Sequence, residues 1–133
     1  MWHVEFRGAR RVRWGRVRVS GPSMVPTLHS DDLVLVRYRA AIRPGDVVVA
    51  RFHLMPDRLV IKRAQRLEED GWWLVSDNVF AGGDSEVHGV AEVLGRAAFY
   101  LPAATRGWRR WLPHRLHRDW PPGPATDQPR SSA

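Results

Sequence analysis

Two residues in this chain could do covalent chemistry together. Ser23 sits in "VSGPSMVPTL" (19–28), between Gly21-Pro22 and Pro26. Gly and Pro force an unusual backbone path there, so the hydroxyl is either a plain turn residue or is held at a set angle. Lys62 is the single lysine among 21 Lys plus Arg. Arginine keeps its proton in proteins, whereas a buried lysine can lose one and act as a general base. In "LVIKRA" a strand period puts Lys62 on one face with Val60 and Ala64, among small apolar neighbours, with Leu59, Ile61 and Arg63 opposite. Alone, such a lysine could equally reach solvent or pair with a carboxylate. Taken with Ser23 it supplies what a serine nucleophile requires, a neutral amine to take its proton.

Other chemistries have little support. The chain has no cysteine, which excludes disulfides, thiol catalysis and Cys-ligated zinc. The six histidines are scattered. His114 and His117 have ligand-like spacing, but a pair alone is not a zinc site. No metal and no cofactor is expected.

The elements that must position Ser23 and Lys62 read as short strands. "RVRVS" (16–20) alternates, "DLVLVRY" (32–38) and "DVVVARF" (46–52) are rich in Val, and "RLVIKRA" (58–64), "WWLVS" (72–76) and "VAEVLGRAAFYL" (90–101) follow. Turn signals separate them, among them Pro44-Gly45-Asp46 and Gly82-Gly83-Asp84. The pattern predicts a mostly β fold, a coiled sheet or partly closed barrel.

The 133 residues suffice for one modest core. The net charge of +7 is unevenly spread: residues 1–18 carry +5, 19–105 carry −2 and 106–133 carry +4. A nucleic-acid module would carry its positive charge on the folded body, so no nucleic acid is expected. Three parts follow: a basic flank (1–15), a catalytic body (16–104), and a Trp/Arg flank with a Pro-rich tail expected to be disordered (105–133). Trp and Arg in the flanks suit peripheral contact with an anionic membrane. No apolar run approaches the ~20 residues of a membrane span, and no secretory signal is visible, so a cytoplasmic location is expected.

Four segments in order resemble the signal peptidase I family of serine peptidases. "SGPSMVPTL" resembles its nucleophile motif, "RPGDVVVARF" its Gly-Asp strand, "LVIKRA" its lysine strand and "SDNVFAGGDSEVHG" its last box. The resemblance spans roughly residues 19–100. It implies a Ser-Lys dyad of Ser23 and Lys62, a coiled-sheet catalytic domain and no cofactor. It also implies that Met24, Pro26 and Thr27 shape the turn, while Asp77, Asn78, Asp84 and Ser85 brace the loop behind the dyad, with Asp84 as a partner for Arg63.

The departures from that family are specific. The Gly of its Gly-Asp-Asn is Ser76. The serine that often orients the lysine falls at Gly82, so that bond must be absent or come from Ser85 or elsewhere. The position two before the nucleophile is Gly21 and Pro22 has no N–H, which leaves the Ser23 N–H as the oxyanion donor, with Ser20 as a weaker helper. The short, anchorless form looks most like the small proteases that mature nickel-type superoxide dismutase by removing an N-terminal leader. That resemblance implies a precursor protein as substrate. Three rivals stand beside it: generic signal-peptidase processing at the membrane, a self-cleaving repressor-type peptidase, and a non-catalytic β-barrel binding module.

Overall fold

The computed structural model describes residues 13–103 and 112–118. The expectations for residues 1–12, for most of the Trp/Arg flank and for the Pro-rich tail lie outside the described residues.

Among the described residues seven strands and one short helix follow one another: β1 (Trp14–Arg18), β2 (Leu33–Tyr38), β3 (Val47–Phe52), β4 (Leu59–Glu68), β5 (Gly71–Val75), α1 (Ser85–His88), β6 (Ala91–Leu101) and β7 (His114–Arg115). All strand pairings are antiparallel, in the order β1-β2-β6-β3-β4-β5. The end of the path returns to β6, where Trp72 pairs with Ala91. Strands β6, β3, β4 and β5 thus form a partial ring, and β1 and β2 extend the sheet to one side. The expected mostly β, coiled and partly closed sheet is present.

Strand β6 makes this possible because its eleven residues serve two neighbours. Its first half pairs with β3 and its second with β2, and a register shift interrupts each ladder. Such irregularities bend a strand and increase its twist.

Alternation along the strands buries a different set on each face. One core cluster gathers Val17, Val34, Val36, Val49, Ile61 and Ala97 beneath Met24 and Leu28. The other, inside the ring, gathers Val48, Ala50, Phe52, Ala64, Leu74 and Ala91, with Val60 packed against it. Met24 and Leu28 belong to the loop that carries Ser23. Their burial ties that loop to the sheet, at about 1.5–3 kcal/mol for each large side chain.

The structure extends the sequence reading at three places. β4 continues to Glu68, past the expected end at Ala64, because Arg66, Leu67 and Glu68 pair with Trp73, Trp72 and Gly71, and the Arg66 guanidinium lies 4.6 Å from the Trp73 ring centre. Helix α1 is a single turn, capped by Asp84 and ended by Gly89 at φ 74°. β7 comes from the Trp/Arg flank and pairs with Phe99 and Tyr100 of β6.

Candidate active site

β1 leads through Val19 and Ser20 into a tight turn from Gly21 to Thr27. Gly21 adopts φ 85°, a conformation an L side chain would strain. The turn closes on itself, the Val25 N–H donating to Pro22 O at 3.1 Å and the Leu28 N–H to Met24 O at 2.8 Å. The Val25–Pro26 peptide is cis. Asn78 fastens the turn from outside. Its backbone N–H donates to Ser23 O at 2.9 Å and its side-chain amide donates to Pro22 O at 3.0 Å. The Ser23 N–H meets no protein acceptor among the described residues, so it is available to a developing oxyanion.

Lys62 stands on β4 opposite Val48 and is buried. Val60 and Ala64 share its side of the strand, as the period required, and Ile61 enters the other core cluster. Lys62 Nζ donates to Ser76 Oγ at 2.9 Å. Burial lowers the pKa of the amine from the ordinary 10.5. The Asp84 carboxylate opposes this shift and the Arg58 guanidinium reinforces it. Desolvation prevails because an ammonium loses more on leaving water than one nearby carboxylate returns.

Ser23 and Lys62 line the same cleft, of about 250 Å³. Its walls include Val19, Phe52, Met55 and Leu59, and Gly82 and Gly83 lie along its rim. No hydrogen bond joins Ser23 Oγ to Lys62 Nζ. Nucleophile–base contacts are often loose without substrate and tighten around it. Arg58 and His88 also line the cleft, and the His88 ring lies 5.0 Å from that of Phe52. The sequence carried no signal for either.

The bracing residues separate into distinct roles. Asp77, not Asp84, is the partner of Arg63: its carboxylate accepts from Arg63 Nε at 2.9 Å and Nη2 at 2.6 Å, and from Thr27 Oγ1 at 2.5 Å. Thr27 is thereby bound to β4 through one buried carboxylate. Asp84 instead caps α1, accepting from the Glu86 N–H at 3.1 Å, and reaches Lys62 only through its charge. Ser85 does not orient the lysine, because its hydroxyl accepts from the Leu74 N–H at 2.7 Å. Ser76 takes that place. The sequence marked Ser76 only as a departure, and no period could show that the residue just past β5 turns its hydroxyl to Lys62 on β4.

Arg63 has a further set of acceptors. Its Nη1 donates to Gly45 O at 2.8 Å and to His117 O at 2.9 Å. Arg118 Nε meets Asp46 at 2.6 Å. The segment 114–118 is therefore a strap joined to the residue next to Lys62.

A turn-held serine and a desolvated lysine thus line one cleft, a pairing that can supply a nucleophile and its base. Residues 11–97 match the Peptidase S24-like family. This chain belongs to that family. It is also similar to human "Mitochondrial inner membrane protease subunit 1", with 30% identity over 135 aligned residues that cover 79% of this chain and 81% of the relative. The chain is a peptidase by family, and the relative is by its name a subunit of a protease. No described helix is long and apolar enough to cross a membrane. Among the described residues no cluster of His, Asp and Glu could hold a metal.

Proposed function

We propose that this protein is a serine endopeptidase in which Ser23 is the nucleophile and Lys62 the general base. The observation that carries the reading is the buried Lys62 amine, held by Ser76 in the cleft that Ser23 also lines. Neutral Lys62 takes the Ser23 proton as Oγ attacks the scissile carbonyl. The Ser23 N–H holds the oxyanion, protonated Lys62 passes its proton to the leaving amine, and water then releases the acyl group by the reverse sequence. The substrate enters as an extended strand along the cleft. The apolar walls of that modest volume favour small side chains beside the scissile bond.

The substrate we propose is a precursor that loses an N-terminal leader, and the resemblance to nickel-type superoxide dismutase maturation proteases makes that enzyme's precursor the first to test. A cytoplasmic site of action goes with this substrate. Mixed with the precursor and no added metal, the protein is expected to make one cut, read by mass spectrometry, while Ser23→Ala and Lys62→Arg make none. The arginine keeps the charge but cannot supply a neutral amine. Cleavage that persists in Lys62→Arg would refute the base assignment. An intact precursor beside efficient cleavage of a secretory Ala-x-Ala substrate would instead favour generic signal-peptidase processing at the membrane, a setting that the human relative's name shares.

A further inference from the structure

The cleft that Ser23 and Lys62 share carries a charge that the proposed chemistry leaves unused. Its ionisable lining consists of Arg58, Lys62 and His88, and no carboxylate of the described residues joins them. Lys62 serves the dyad, and the His88 ring packs 5.0 Å from that of Phe52. Asp84, whose charge reaches Lys62, is turned to the start of α1, where it accepts from the Glu86 N–H. Arg58 has no part in any of this, and arginine stays charged at every working pH.

Arg58 sits in the turn that enters β4. Its backbone N–H donates to Met55 O at 3.2 Å, and β4 begins at the next residue. Arg51, Arg63, Arg66 and Arg118 each meet a carboxylate, whereas Arg58 is exposed and makes no ion pair among the described residues. Its exposure is toward the cleft as well as the solvent, because it lines the cleft and its charge is felt at Lys62. A guanidinium there offers a planar fork of donors that matches a carboxylate.

The spacing says where that carboxylate would lie. Lys62 marks the scissile bond, and Arg58 precedes it by four residues. A strand and an extended peptide beside it advance alike, by ~3.3 Å per residue, so the two positions are about 13 Å apart along either. Ser20, Gly21 and Pro22, which precede the nucleophile, line the cleft as well and confine the same stretch of peptide. We propose that Arg58 is a specificity-determining residue, pairing with an acidic side chain of the substrate about four residues from the scissile bond. This rests on the reading of the cleft as a peptidase site, and it narrows the substrate class to extended segments with a carboxylate at that distance.

The test reads binding on the full chain carrying Ser23→Ala, so that no peptide is consumed. The probes are short, labelled alanine-rich peptides in which one glutamate is moved position by position, with glutamine and lysine counterparts. Fluorescence anisotropy is expected to show one position at which glutamate binds about fivefold tighter than glutamine, as one solvent-accessible ion pair provides. With the wild type, mass spectrometry should place that glutamate about four residues from the cut. Adding Arg58→Glu should reverse the order, so that lysine at that position binds tighter than glutamate, and this gain also shows that the variant is folded. Arg58→Lys should keep the preference for glutamate, more weakly. Equal affinity for the glutamate and glutamine peptides at every position would overturn the proposal. So would a preference that Arg58→Glu leaves unchanged, or a preferred glutamate directly beside the cut. A wild type that shows the preference and cuts none of the peptides would support acidic recognition by Arg58 and count against the peptidase reading alone.

Discussion

At the scale of single residues, the proposed dyad depends on keeping one amine neutral and aimed. Ser76 does the aiming, through its 2.9 Å bond to Lys62 Nζ. Ser76→Ala is expected to lower kcat by roughly ten- to a hundredfold, part of the 10²–10⁴ that a positioned base supplies, with KM little changed. Ser76→Thr, which keeps a hydroxyl, should recover much of the loss. A fall in KM alone, or no rescue by threonine, would exclude the positioning role. The pH dependence has a defined sign. Burial lowers the Lys62 pKa, so kcat/KM should rise with pH through that lowered value, well before an ordinary lysine deprotonates at 10.5. Stability follows the same direction. Between the lowered folded value and the ordinary unfolded one, the unfolded chain binds more protons, so unfolding free energy rises with pH. Lys62→Met removes that term, and thermal melts should find it at least as stable as wild type at neutral pH while it is inactive. The unusual status of Lys62 was legible in the sequence, because one lysine among so many arginines on an apolar strand face is a visible anomaly. Its partner was not legible, because which hydroxyl reaches it depends on the register of β4 against β5.

At the scale of elements, the Ser23 turn is held by bonds that cross the sheet. Thr27, Asp77 and Arg63 form a chain from the half-buried turn to the buried part of β4, and Arg63 passes it on to Gly45 and His117. Both ion-pair partners are almost wholly buried, at 1% and 0% side-chain exposure. Removing one would strand the other, so Asp77→Ala is expected to cost about 3–5 kcal/mol in a denaturant titration. Replacing Arg63 and Asp77 together with apolar residues of similar volume should cost less than that single change. A double variant as unstable as the sum of the two single ones would show that the pair is not the unit. The strands themselves were legible from Val-rich runs bounded by Gly and Pro. Choosing Asp77 over Asp84 as the partner of Arg63 was not. Both acids lie in the same box, and only the fold reveals that one enters the core while the other caps a helical turn.

For the whole molecule, the question is where the working unit ends. The motifs that carry the resemblance all fall before residue 104, which suggested a body of 16–104. Beyond that limit, Leu116 packs on the first core cluster, its N–H donates to Ala98 O at 2.9 Å, and the Gly45 turn closes against Arg118. We infer that residues 112–118 belong to the working unit. A protein ended after residue 118 should retain cleavage and most of its stability. One ended after residue 103 would lose the His117 acceptor of Arg63, the Arg118–Asp46 pair and the burial of Leu116. At about 1 kcal/mol for each bond and for partial burial of a leucine, the loss is roughly 3 kcal/mol. For a domain of this size that lowers Tm by more than about 10 °C. A finer probe leaves the strap in place and loosens only its seat. Gly45 has φ 93°, and a Cβ there would lie 2.6 Å from Arg118 O. Gly45→Ala should therefore cost more than 1 kcal/mol, and should lower kcat through Arg63 and its neighbour Lys62 more than it alters KM. If the protein ended after residue 103 melts and cleaves like the one ended after residue 118, the strap is ornamental and the body is complete without it.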